Sequence, residues 1–340
     1  MRGLSDLRAI CSAPGKVILF GEHAVVYGHP ALAASTDQRT QVEVDCCGDR
    51  FTVNGYRIHD RYHSYLLTAV ERVWGRAEPI RLQTEGGVPS ASGTGSSAAL
   101  TVATVGALHM LQGRTDLPGV AQDSFEVERT TQGGGSPTDT SISTAGGGIA
   151  IAGTADPPKV GTHLWDITWS QPDQEPRGWT VERIEMPQLT IVIGNSGVKG
   201  RTDEQVAKVA NAARKNAMVR DSLSEIGRLT RQAVPALRTK DWEAIGRLMD
   251  KAHSALHTLG VNHPAVEQLV QAARATPGTF GAKLTGAGGG GSMFALTERP
   301  EAVAKAILEK GGTPFVVRLG GPGVQWHEAG QSPPRLEATS

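Results

Sequence analysis

Apolar residues come first in short runs and alternations, and later at helical spacing. The run Val17 to Phe20 predicts a buried strand, followed by a hairpin between Gly21 and Gly28. Gln41 to Asp45 alternates polar and apolar residues, and Phe51 to Tyr56 continues the β character around an Asn54-Gly55 turn. Tyr65 to Val73 predicts a helix and Ile80 to Gln83 a short strand. A small-residue loop, Ser90 to Ser97, runs into a helix over Ala98 to Leu111, and a second helix covers Gly119 to Thr130. Gly148 to Ala152 is strand-like. Residues 153–180 are rich in Pro, Asp, Gly and Trp with weak periodicity, which predicts a long connection or insertion near a domain boundary. Leu189 to Gly194 reads as a buried strand. Helices are expected over Thr202 to Val219, with Thr202 as N-cap before Asp203 and Glu204, and over Ser222 to Leu237, Trp242 to Leu256 and Pro264 to Ala275. Two β pieces flank a glycine cluster between Ala282 and Ala295. A helix over Pro300 to Lys310 and a strand over Val316 to Leu319 precede a tail, from Gly320, that reads as loose. Both halves mix strands with helices, and no repeat of fixed period stands out.

A chain of 340 residues is long enough for about two domains. Lysine plus arginine equals aspartate plus glutamate, 34 each, so no global field draws nucleic acid or an acidic membrane. An anionic ligand must be held by local groups. The three cysteines, Cys11, Cys46 and Cys47, are odd in number and lack metal-type spacing, which points to a reducing, cytoplasmic setting. The N-terminus lacks the apolar stretch of a signal peptide. The most apolar segment, Ala98 to Leu111, is too short to span a bilayer and contains Thr101, Thr104 and His109, so a soluble protein with no membrane partner is expected.

Three glycine-rich segments and one acidic one carry the candidate chemistry. In the first, Ala13-Pro14-Gly15-Lys16 leads through the strand to Gly21-Glu22-His23, so charged and titratable groups stand at both ends of a buried strand. The second, Pro89-Ser90-Ala91-Ser92-Gly93-Thr94-Gly95-Ser96-Ser97-Ala98-Ala99, opens directly into a helix. Free N–H groups at a helix start, with the helix dipole, suit phosphate, and the hydroxyls of Ser96 and Ser97 can meet phosphate or Mg²⁺. It is neither a Walker nor a Rossmann pattern. The third, Lys283 to Phe294, holds so many glycines that its backbone must approach another backbone or a ligand. Glu128, near a helix end, and Asp139, in a small-residue loop, could supply a metal ligand and a base. On residue chemistry alone both remain open between solvated and reactive roles.

Taken together and in this order, the segments resemble the GHMP kinase superfamily. Gly21 to Gly28, with Ala13 to Lys16 before it, is similar to the mevalonate kinase family, and Ser136-Pro137-Thr138-Asp139-Thr140 to its archaeal branch. The resemblance runs from about Ala13 to Leu319. It implies an α+β, two-domain GHMP kinase fold. The N-terminal domain (1–180) would resemble the second domain of ribosomal protein S5, the C-terminal domain (181–320) would be ferredoxin-like, and 321–340 would form a loose tail. It implies ATP-dependent phosphorylation of the C5 hydroxyl of mevalonate, with ATP and mevalonate as partners, Mg²⁺ as cofactor, and a homodimer as in many relatives; the alternatives are a phosphomevalonate kinase or another small-molecule kinase of the superfamily, and a non-catalytic ATP-binding sensor that keeps the fold. Pro89 to Ala99 would be the ATP-phosphate loop. Ser97 and Glu128 would hold the metal, Asp139 would be the catalytic base, and Lys16 its paired lysine. Glu22, His23 and Thr202 would line the substrate pocket, and Lys199 or Arg201 would meet the substrate carboxylate. Thr94 stands where the family usually has leucine, and the Asp139 loop departs from the commoner Pro-Ser-Gly-Xaa-Asp wording.

Overall fold

The computed structural model of the chain describes residues 7–46, 49–88, 93–171 and 174–327. Its N-terminal half builds strands β1 (Arg8–Phe20), β2 (Ala31–Asp45), β3 (Thr52–Val53) and β4 (Tyr56–Arg57), helix α1 (Asp60–Ala69) and strand β5 (Arg81–Gly86). Helices α2 (Ser96–Leu111), α3 (Leu117–Gln132) and α4 (Thr138–Ala145) follow, then strands β6 (Gly148–Gly153), β7 (Thr162–Gln171) and β8 (Gln174–Ile184). The C-terminal half runs through β9 (Leu189–Asn195), α5 (Thr202–Lys215), α6 (Ala217–Thr239), α7 (Trp242–Thr258) and α8 (Pro264–Ala275). It closes with β10 (Thr279–Thr285), β11 (Ser292–Thr297), α9 (Pro300–Glu309) and β12 (Thr313–Leu319), and a short β13 (Gln325–His327) returns to the first half. The α+β architecture in two parts is the one expected.

β2 is the hub. Along its length it pairs antiparallel with β1, β5 and β6, and at Thr36 it meets Leu319 of β12. Through that bridge the N-terminal sheet continues into the antiparallel order β12-β9-β11-β10. The run Ile191-Val192-Ile193 is apolar at consecutive positions because both faces of β9 are covered. Ile191 and Ile193 join a core with α6, α7 and the end of β1, and Val192 joins another with α5, α8 and α9. Period-two alternation also sorts the end of β1. Val17 and Leu19 enter the core shared by the two halves, and Lys16 and Ile18 face the cleft between them.

Several expectations are corrected. Within the segment expected to be a long connection or insertion, β7 and β8 pair antiparallel over most of their length. Trp165, Ile167, Trp179 and Val181 alternate inward onto Phe125, a pattern hidden by the Pro- and Asp-rich approach at 155–158. A division after residue 180 therefore cuts β8. Asp139 lies in the first turn of α4, not in a loop. The Thr, Ser and Ala residues of α4 have little helical signal, and their burial against β1, where Ser143 Oγ donates to Pro14 O at 2.7 Å, makes the helix. The helix expected over 202–219 breaks at Asn216, whose side chain accepts from Met218 N and caps α6. Arg201, not Thr202, is the N-cap of α5. The helix expected over 65–73 ends as α1 at Ala69 and continues as a π turn, Val70–Trp74. The tail is not wholly loose, since β13 pairs with β1 from Ile10↔His327 to Ser12↔Gln325. Pro89, Ser90, Ala91, Ser92, Cys47 and 328–340 lie outside the described residues.

Helix α7 crosses β10 backbone to backbone. A Cβ at Gly246 would lie 1.9 Å from Phe280 O. Gly246→Ala is therefore expected to destabilise the fold by about 3 kcal/mol or more. Gly86→Ala, where a Cβ meets open space, should cost less than about 0.5 kcal/mol. Denaturant unfolding of the two variants checks this, and equal effects would refute it.

Candidate active site

Lys16 reaches the cleft through a narrow passage. Its N–H donates to Thr94 O at 2.8 Å, and its side chain runs past Gly95 at the start of α2. A Cβ at Gly95 would stand 2.6 Å from Lys16 Cγ, and the backbone there has φ +80, so only glycine fits on both counts. The lysine side chain is 5% exposed, and its Nζ lies 2.8 Å from Asp139 Oδ2. A buried ammonium needs such a partner.

Glu128, on α3, stands close by. Ser97 Oγ donates to Glu128 Oε1 at 3.3 Å, and Gln132 Nε2 donates to the same oxygen at 3.1 Å. Gln132 also donates to the hydroxyl of Tyr65, from α1, at 2.9 Å. Burial, reinforced by the negative charge of Asp139, pushes the Glu128 carboxyl up to about 8, against the pull of Lys16 and the two hydrogen bonds. Two carboxylates thus share one lysine. Tyr65 and Gln132 were not anticipated; Gln132 lies one turn after Glu128, a spacing that brings the two together on a helix.

At the other end of the β1 segment, Glu22 is buried and paired with Lys283 of β10. Burial raises the Glu22 carboxyl above its ordinary value and lowers the Lys283 ammonium below its own. His23 has φ 61, and its Nε2 lies 2.9 Å from Ala287 O. A carbonyl only accepts, so the proton sits on Nε2, and burial lowers the pKa of the ring and keeps it neutral. Thr285 Oγ1 donates to Ile18 O at 3.0 Å. The role of Lys283 was not foreseen, although a lysine between Ala282 and Leu284 in an apolar strand signals a buried partner.

The glycine run after β10 packs backbone on backbone. Gly289 N donates to Val261 O at 2.7 Å and Gly291 N to Val198 O at 2.8 Å, and a Cβ at Gly200 would lie 2.2 Å from Gly288 O. Its other side lines a cleft of about 670 Å³. Lys16, Glu22, His23, Ser97, Glu128, Asp139, Lys199, Arg201 and Thr202 share that cleft with Gly93, Gly95 and Ser96. Thr94, Ala98 and Ala99 are buried beneath it. Arg201 is exposed and bonded to Asp203 at 2.7 Å and Glu204 at 2.8 Å. Among the described residues Lys199 has no ion pair, and no three His, Cys, Asp or Glu side chains gather into a metal-type cluster.

Family models match this chain in both halves: the GHMP kinases N terminal domain over residues 61–147 and the GHMP kinases C terminal domain over residues 233–311. The class is that of the GHMP kinases. A mevalonate kinase of Thermococcus sibiricus is 33% identical over 358 aligned residues, covering 94% of this chain and 98% of that protein. A mevalonate kinase of Methanothermobacter thermautotrophicus is 34% identical over 298, covering 85% and 90%. The crystal structure of the Methanococcus jannaschii mevalonate kinase superposes with a TM-score of 0.72 at 24% identity, covering 92% of this chain and 99% of that one. The chain belongs to the mevalonate kinase family. No described helix is long and apolar enough to cross a membrane.

The raised Glu128 carboxyl has a stability signature. The folded chain holds this proton to about pH 8, whereas an unfolded glutamate releases it near 4.5. Between these values the unfolded state binds fewer protons, so wild-type stability falls as pH rises. In metal-free buffer the thermal midpoint of Glu128→Gln should gain on wild type by several degrees from about pH 5 to about pH 8 and then level off. A difference independent of pH would contradict the assignment.

Proposed function

We propose that the chain transfers the γ-phosphoryl group of ATP to the C5 hydroxyl of (R)-mevalonate, giving 5-phosphomevalonate. The observation that carries the reading is the Lys16–Asp139 pair, 2.8 Å apart at the wall of the cleft between the halves. Phosphoryl transfer asks a protein mainly for positioning and charge stabilisation. Asp139 accepts the proton of the attacking hydroxyl, and Lys16 beside it lies close enough to polarise that hydroxyl. The loop entering α2 offers backbone N–H groups and the positive end of the helix dipole to the ATP phosphates.

The residues present fit Mg²⁺. Ser97 and Glu128 provide a hydroxyl and a carboxylate 3.3 Å apart, a hard oxygen set of the kind that Mg²⁺ shares with substrate phosphates. When bound, the ion neutralises phosphate charge. Gln132 and Ser97 keep the Glu128 carboxylate oriented toward that role, and metal binding there favours its ionised form. Glu22 and the neutral His23 form the substrate end of the cleft. Lys199 takes the substrate carboxylate, because Arg201 is already held by Asp203 and Glu204. Thr202 stands beside it at the start of α5.

Asp139→Asn is expected to lower mevalonate-dependent ADP release about 10²-fold or more while the KM for ATP stays within about 3-fold. Near-normal turnover would remove Asp139 as the base. Lys199→Ala should raise the mevalonate KM about 10-fold, and Arg201→Ala less than about 3-fold. The reverse order would exchange their roles. In a panel of mevalonate, phosphomevalonate, homoserine and galactose, mevalonate should give the highest kcat/KM; preference for another member would overturn the substrate.

A further inference from the structure

Lys283 occupies an apolar strand with none of its side chain exposed, and it touches neither the Lys16–Asp139 pair nor the start of α2. Its ammonium donates to Glu22 Oε1 and, at 2.7 Å, to Leu284 O. The rings of Phe294 and Phe20 lie beside it, their centroids 5.3 and 6.0 Å away. A lysine so enclosed is fixed in position. Its strand is fixed from behind as well. Leu284 N donates to His253 Nδ1 at 3.2 Å, and His253 Nε2 in turn donates to Glu267 at 2.8 Å. The second oxygen of the paired carboxylate, Glu22 Oε2, is buried and without a hydrogen-bond partner among the described residues. An orphaned carboxylate oxygen is costly unless a donor reaches it, and Glu22 forms part of the cleft wall.

We infer that Lys283 is a positioning residue for the substrate: it holds one oxygen of Glu22 and so leaves the other for a substrate hydroxyl that is not phosphorylated. The inference rests on the mevalonate kinase reading, since mevalonate carries a second, tertiary hydroxyl. Two further contacts run from the same strand and its glycine loop to the β1 segment, Thr285 to Ile18 O and His23 to Ala287 O, so Lys283 belongs to a three-point attachment. Of these, the Lys283–Glu22 contact alone is an ion pair. Around Glu22 the charged and titratable groups are Lys283 from β10, Lys16 from β1 and the adjacent His23; His253 of α7 lies within electrostatic reach of Lys283.

Steady-state kinetics of wild type, Glu22→Gln, Lys283→Met and the double variant test the inference. Because Lys283 acts through Glu22, the double variant should match Glu22→Gln, with mevalonate KM and kcat within about 2-fold and the KM for ATP unchanged. Lys283→Met alone should raise the mevalonate KM about 10-fold or more, because the buried Glu22 carboxyl then loses the ammonium that holds and compensates it. The double variant buries no unpaired charge, so if either single variant does not fold its comparison with wild type remains, and there the mevalonate KM should rise while the KM for ATP stays unchanged. A double variant several-fold worse than Glu22→Gln, an unchanged mevalonate KM in Lys283→Met, or an equal rise in the KM for ATP would overturn the inference. Wild-type protein without mevalonate-dependent ADP release would instead overturn the underlying reading.

Discussion

The structure depends on keeping a lysine charged where almost no water reaches it. Lys16 is a strand residue with a 5% exposed side chain, and such an ammonium persists only against a well-placed carboxylate. Three separate pieces of chain meet that demand. β1 carries the lysine, Gly95 opens the passage beside α2, and α4 brings Asp139 to within 2.8 Å. The strand, the glycine and the short helix are one arrangement, and the position of the cleft follows from it.

The two halves are tied together around that arrangement rather than hinged at a distance from it. β2 passes between the sheets, and the end of β1 contributes Val17, Leu19 and Phe20 to a core completed by β9, β11, α6 and α7. The side chains that β1 turns to the cleft are therefore set by the same pleat that packs its other face. Across the cleft the third glycine run stays thin because it packs on the backbone of residues 198–200 and 261. Charge gathers on one side of the cleft, where burial of Glu128, reinforced by the negative charge of Asp139, raises its carboxyl against the pull of Lys16.

Much of this was legible in the sequence where local pattern and tertiary environment agree. α8 begins at Pro264 and ends at Ala275, as its apolar spacing and N-terminal proline indicate, and the apolar run of β9 marks a strand buried on both faces. The segments around Lys16, Ser97 and Asp139 could be singled out because glycines and charges interrupt apolar runs there. What escaped depends on partners distant in sequence. α4 is made mostly of Ser, Thr and Ala residues whose helix is dictated by burial against β1. The β7–β8 hairpin is held by tryptophans packing on Phe125. Glu22 meets Lys283 across 261 positions, a pairing that no local pattern encodes.

The central claim is that Asp139, held by Lys16, receives the proton of the hydroxyl that attacks ATP. A crystal structure of the chain with (R)-mevalonate and a non-hydrolysable ATP analogue tests it most directly. The account predicts the C5 hydroxyl oxygen within about 3 Å of the Asp139 carboxylate, with the Lys16 pair intact and that oxygen facing the γ-phosphorus. A complex in which mevalonate fills the cleft with its C5 hydroxyl out of reach of Asp139 would contradict it.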